Sequence, residues 1–117
     1  MKGKRRLGEL GERYAQELLK KQGYKLIERN FRSPLGEIDL IAKDKEVLVF
    51  VEVKTRWSRK FGLPEESVTP RKINKIKRII DYYLISHKNL ANKLRIDVVA
   101  IEVSSGSVKS ARIIKVV

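Results

Sequence analysis

The sequence predicts a single α/β domain, residues 1–117, on a mixed sheet: helix, three strands, helix, two strands. Three observations carry that expectation. Apolar residues recur at three- and four-residue spacing over about 7–22 and 70–87, which marks helices with one buried face. Runs of alternating or continuous apolar character over 24–32, 37–43, 47–54 and 95–103 mark strands. A chain of 117 residues is the size of one domain and can bury one such sheet unaided by disulfides.

In the first helix the predicted buried face is Leu7, Leu10, Tyr14 and Leu18, with Ala15 and Leu19. Gly8 and Gly11 are out of place in a helix interior, where each costs about 1 kcal/mol relative to alanine. Either the helix starts late or another part of the chain comes close. Gly23 ends it, after Lys20 and Lys21 in the last turn. Ser33-Pro34-Leu35-Gly36 reads as a turn between the first two strands, and Asp44-Lys45 as a tight turn before the third. On that third strand Val47, Val49, Val51 and Val53 share one face, and Leu48, Phe50, Glu52 and Lys54 the other. The short turn makes strands two and three an antiparallel hairpin. Thr69-Pro70 is an N-cap with proline at the first helical position. The helix behind it buries Ile73, Ile76, Ile80 and Tyr83 or Leu84, and presents Arg71, Lys75 and Arg78 as a separate basic stripe. This helical connection lets strands three and four lie parallel. Residues 111–117 form a last, edge strand.

Composition narrows function. Lysine and arginine total 27 against 14 acidic residues, a net charge of +13. Such a chain attracts polyanions: nucleic acid, an anionic membrane or an acidic protein. The absence of cysteine excludes disulfides, thiolate metal sites and cysteine catalysis. A single histidine, His87, argues against a histidine-rich metal site; it reads as a charge at a helix C-terminus. No segment reaches the roughly 18 uninterrupted apolar residues of a membrane span, and the expected location is the cytoplasm.

The sharpest chemical feature is Asp39, followed thirteen residues later by Glu52-Val53-Lys54. Glu52 and Lys54 share a face, and the hairpin can bring Asp39 beside Glu52. Two neighbouring carboxylates repel each other unless a proton or a cation intervenes. Mg²⁺ takes one or two protein carboxylates and completes its shell with water or phosphate oxygens. A lysine beside such a cation can orient the attacking water or stabilise phosphate oxyanions. Asp39, Glu52 and Lys54 are thus the minimum parts for phosphodiester hydrolysis with Mg²⁺ or Mn²⁺. The plainer alternative is a solvated Glu52–Lys54 ion pair at a strand end. Glu12, at the border of the first helix's buried face, is a further candidate if that helix packs on the hairpin; otherwise it is a surface residue favoured by the helix dipole.

Arg56, Arg59, Lys60, Arg71, Lys72, Lys75 and Arg78 follow these residues, with Trp57 and Phe61 interleaved. They suit phosphate contact and base stacking; the alternative is a solvated basic face, with Phe61 in the core. Asp97 opens an apolar strand and reads as a structural ion pair with Arg95 or another base.

Five stretches together resemble the bacterial YraN-type family: Gly8-x-x-Gly11-Glu12, Glu28 to Arg32, Gly36 to Ala42, Phe50 to Arg56 and Arg95 to Ile101. The resemblance covers nearly the whole chain. That family is similar to the restriction-endonuclease-like PD-(D/E)xK superfamily, above all to archaeal Holliday-junction resolvases. The resemblance implies an αβββαβ core, a homodimer and Mg²⁺-dependent cleavage of branched DNA. It implies Asp39 and Glu52 on the metal, Lys54 beside the water and Glu12 as the helix-one glutamate. The proline that precedes the aspartate in the superfamily is replaced here by Ile38. The expectation is a metal-dependent endonuclease acting on DNA, branched or damaged structures included. The alternative is a nucleic-acid-binding module of nuclease ancestry with little or no hydrolysis.

Overall fold

Five strands make one mixed sheet in the order β1-β2-β3-β4-β5. In chain order the elements are α1 (Lys2–Lys21), β1 (Lys25–Ser33), β2 (Gly36–Asp44), β3 (Val47–Arg56), a 3₁₀ turn (Pro64–Ser67), α2 (Pro70–Ser86), β4 (Lys93–Ser104) and β5 (Ser107–Lys115). The computed structural model describes residues 2–57, 60, 62–87 and 93–116, and for residues 2–7 the backbone only. The pairs β1–β2, β2–β3 and β4–β5 are antiparallel, and β3–β4 is parallel. The expected αβββαβ order is therefore present, with β5 added as an edge. That last strand starts earlier than the sequence suggested, at Ser107, because the turn at Ser105 and Gly106 is tight, with φ of 52° and 78°. The β2–β3 turn falls on Lys45 and Glu46, one residue later than expected, with Lys45 at φ 56°.

The helices cover opposite faces of the sheet. Ala15 and Leu19 of α1 pack with Leu40, Ala42, Val49, Val51, Val99 and Ile101. On the other face Ile73, Ile76, Ile79, Ile80 and Tyr83 of α2 pack with Ile38, Ile41, Leu48, Phe50 and Ile96. The valine row and the Leu48–Phe50 row of β3 thus face different helices, as alternation requires.

The α1 face matches expectation at Ala15 and Leu19, which are fully buried, and differs from it at Leu10 and Tyr14. Leu10 and Tyr14 are 39% and 42% exposed, and the helix lies on the sheet through Gly11, Ala15 and Leu19. A Cβ at Gly11 would collide with Oγ1 of Thr55 on β3. The helix is drawn in along a stripe of small residues, which carries little hydrophobic signal, while larger neighbours are turned out. Gly8 has open space around it, so the close approach accounts for Gly11 alone. The helix also starts earlier than expected, at Lys2. Gly11→Ala is expected to destabilise the fold by about 1–3 kcal/mol through overpacking, although alanine is the better helix former by about 1 kcal/mol. Urea denaturation measures the loss, and Thr55→Ala in the same chain should recover part of it. A stabilised Gly11→Ala variant would refute this packing account.

On the other face α2 begins as its sequence dictates. The Thr69 side chain accepts from the Lys72 N–H at 3.3 Å, and Pro70 occupies the first turn. His87 closes the helix, its Nδ1 2.9 Å from the Tyr83 carbonyl and its ring stacked on Tyr83 at 3.9 Å. Near the β1–β2 turn Gly36 has φ 141°, and a Cβ there would stand 3.1 Å from both Ile79 and Lys75. The turn and α2 are therefore in close contact, with Lys75 beside the start of β2.

Candidate functional site

The β2–β3 ladder runs from the Asp44–Val47 pair to the Leu40–Val51 pair. One step further, the Asp39 carboxylate accepts the Val53 N–H at 2.7 Å. A side chain thus satisfies a β3 donor beside the end of the regular pairing. The strand's alternation slips at the same residue. Leu40 and Ala42 face α1, Ile41 faces α2, yet Ile38 also faces α2. Asn30 on β1, at φ 53°, lies between the flanking pairs Arg29–Leu40 and Phe31–Ile38. Asp39 therefore occupies an irregular position between strands.

Glu52 stands next to it on central strand β3, on the α2 face, and is 8% exposed. Two ammonium groups flank its Oε1: Lys54 Nζ at 3.9 Å and Lys72 Nζ at 3.9 Å. Burial pushes the Glu52 carboxyl up to about 7, and the neighbouring Asp39 charge adds to this against the pull of Lys72 and Lys54. Burial also raises Glu12, with Asp39, Glu9 and Glu37 contributing and Arg29 opposing. Glu12 follows Gly11, whose contact with Thr55 sets this turn of α1 against the end of β3.

Asp39, Glu52 and Lys54 thus come together as the sequence suggested, and Glu12 is close enough to feel the Asp39 charge. Lys72 was expected among outer phosphate contacts; instead its ammonium lies beside Glu52. Its position at the start of α2 was legible, but the reach of that turn to β3 was not. Arg71, Lys75 and Arg78 are exposed along α2, as expected, and no acidic partner pairs with them among the described residues. Arg56 is half-buried and donates to its neighbour's carbonyl, Thr55 O, at 3.3 Å. Lys60 and Trp57 are exposed. Arg59 and Phe61 lie outside the described residues.

No group of three or more histidine, aspartate or glutamate side chains among the described residues is arranged to hold a metal. The donor set on offer is two carboxylates. That suits Mg²⁺, which keeps several water or phosphate ligands. A cation there would also relieve the repulsion between Asp39 and Glu52.

Asp97 belongs to a different cluster, on the α1 face. It is wholly buried and accepts from Tyr24 Oη at 2.7 Å and from Arg95 Nε at 2.6 Å. Arg95 also donates to Asp44 at 2.9 Å. This is the structural ion pair the sequence suggested, extended by Tyr24 and Asp44. At the other end of the sheet Arg112 on β5 holds Glu65 of the 3₁₀ turn and Glu102 of β4, each at 2.7 Å. That clamp fixes the connection between β3 and α2.

Fold and site together define an α/β domain with a mixed five-stranded sheet and an acidic–basic cluster centred on Glu52. The chain belongs to Uncharacterised protein family UPF0102, whose model matches residues 11–101. It is 47% identical to a UPF0102 protein of Syntrophomonas wolfei, over 94% of this chain and 96% of that one. It is 49% identical to one from Caldicellulosiruptor saccharolyticus, covering 84% and 83%. For one from Moorella thermoacetica the identity is 48%, covering 84% and 82%. No helix among the described residues is long and apolar enough to cross a membrane.

Proposed function

We propose that this protein is a metal-dependent endonuclease that hydrolyses phosphodiester bonds in DNA. The observation that carries the reading is the Asp39–Glu52 pair, flanked by the ammoniums of Lys54 and Lys72. The resemblance to restriction-endonuclease-like proteins supports it, and so does the net charge of +13. Asp39 and Glu52 would hold one Mg²⁺ or Mn²⁺. When bound, such a cation lowers the pKa of a coordinated water and neutralises charge on the phosphate. Asp39 is aimed by the Val53 amide, so its carboxylate is set before any ligand arrives. Lys54 would orient the water; as its oxygen adds to phosphorus the bond to the leaving oxygen breaks, and the proton the water gives up to solvent is replaced by one taken up on the leaving oxygen. Glu12 feels the Asp39 charge and holds a proton more readily than an exposed glutamate. A branched substrate and a homodimer fit the same reading, since cutting both strands of a symmetric junction needs two sites.

The test is cleavage of duplex, single-stranded, flap and four-way-junction DNA, and of structured RNA, in Mg²⁺ and in Mn²⁺. Wild type should cut at least one of the DNAs, and Lys54→Ala should not. Tight binding without any cleavage would replace this reading with that of a binding module.

The basic stripe of α2 supplies a separate prediction. Arg71, Lys75 and Arg78 span about 10 Å of helix, at 1.5 Å per residue. That length faces about three phosphates of one strand at 3.4 Å axial spacing. Changing all three to glutamine should weaken binding similarly for all sequences and flatten the dependence of log K on log salt by about 2–3. Fluorescence anisotropy at several salt concentrations measures this. An unchanged slope would remove the stripe from the interface.

A further inference from the structure

We infer that Lys72 is a resident counter-ion of Glu52, displaced when a divalent cation binds and then available to the substrate's phosphate. The inference rests on the reading above and assigns Lys72 a role in it. Its ammonium and that of Lys54 lie equally near the same oxygen, Glu52 Oε1, at 3.9 Å. The two lysines differ in attachment. Lys54 lies on β3 itself, two residues from Glu52 and on the same face, with a side chain 23% exposed. Lys72 reaches in from the first turn of α2 and is 36% exposed. Its backbone is anchored by the bond from its N–H to Thr69, so the ammonium can leave Glu52 without any movement of the helix.

A second observation points the same way. The first turn of α2 contains Arg71 and Lys72 and no acid. Cations at the positive end of a helix dipole are unfavourable, so an anion beside Lys72 is favoured. In the free protein Glu52 is that anion. A cation held by Asp39 and Glu52 takes over the carboxylate charge, and the nearest new anion is a phosphate oxygen of the bound nucleic acid. Lys72 also stands next to the exposed stripe begun by Arg71 and continued by Lys75 and Arg78, on the route from that stripe to Glu52.

A counter-ion that competes with a metal has an unusual signature: its removal tightens metal binding. The experiment is calorimetric titration of the full chain with Ca²⁺ at pH 7.5, without nucleic acid, for wild type, Lys72→Gln, Lys72→Arg and Glu52→Gln. Lys72→Gln should bind Ca²⁺ about three- to tenfold more tightly, as expected for removal of one adjacent, partly exposed charge. Its binding to DNA in Ca²⁺ should weaken. Lys72→Arg keeps the charge and should stay near wild type in both measurements, which separates charge from folding. Unchanged or weaker Ca²⁺ binding by Lys72→Gln overturns the inference. If wild type binds Ca²⁺ and Glu52→Gln does not, the metal-site reading survives that failure. If wild type itself binds no divalent cation, both fall.

Discussion

Glu52→Gln is expected to abolish cleavage and, at alkaline pH, to stabilise the fold. If the protein is the endonuclease proposed above, the loss of cation-dependent cleavage should reach at least about 10²-fold, because one of the two carboxylates proposed to hold the cation is gone. The gain in stability follows from the raised Glu52 carboxyl, at about 7 through burial and the Asp39 charge. In the unfolded chain a glutamate titrates at about 4.3. The contribution of Glu52 to stability is therefore fully present below about pH 4.3 and is lost as pH rises through about 7. Above pH 7 the native protein carries a buried charge beside another, at a cost of about 2–4 kcal/mol. Glutamine carries none. Thermal melts in EDTA should show the variant more stable at pH 8, with the difference closing towards pH 4. Divalent cations should then stabilise the wild type and leave the variant unmoved. Equal melting of the two proteins at pH 8 would show that the two carboxylates are not in conflict, and retained cleavage would remove Glu52 from the reaction.

Asp97→Ala should have the largest effect on stability, about 3–5 kcal/mol. It removes the shared acceptor of Tyr24 Oη and Arg95 Nε, which lie 2.7 and 2.6 Å from Asp97. Arg95 is left with Asp44 and the Tyr24 hydroxyl, and that hydroxyl is left with Arg95 alone. A loss of that size is a large part of the total stability of a small domain, about 5–15 kcal/mol. Urea denaturation measures it. The double variant Arg95→Met with Asp97→Ala should lose much less than the two single losses together, because the uncompensated charge leaves with its partner. Strict additivity would mean that the pair does not act as a unit. Since this cluster sits on the α1 face, away from Glu52, the surviving folded fraction of the variant should keep the DNA affinity proposed for the wild type.

Much of this was legible in the chain. The period of two along Val47–Lys54 places Glu52 and Lys54 on one face, and a hairpin with a short turn can bring Asp39 beside Glu52. Both are local consequences of strand geometry. The Thr69-Pro70 start of α2 is equally local, since an N-cap needs only its own first turn. Arg95 and Asp97 are two residues apart on one strand, so their pairing could also be read directly.

Contacts between elements far apart in sequence were not legible. Ala15 and Leu19 are buried on α1 as the sequence suggests, but Leu10 and Tyr14 are not; they carry much hydrophobic signal, whereas Gly11, which lies against the sheet, carries little. Only the approach of Thr55 to Gly11 decides which stripe lies down. Tyr24 and Asp44 join Asp97 because the sheet brings three separate segments to one face. Lys72 reaches Glu52 because β3 and β4 are parallel and their crossover lays α2 over the middle of the sheet. The sequence by itself determined the elements, the phases of β3 and α2 and the hairpin between β2 and β3, since these depend on neighbours a few residues away. The tertiary structure alone decided the second lysine at Glu52, the slip that aims Asp39 at the Val53 amide and the burial that raises the Glu52 carboxyl. Each of these depends on which helix covers which face, and that choice is made by packing across the whole domain.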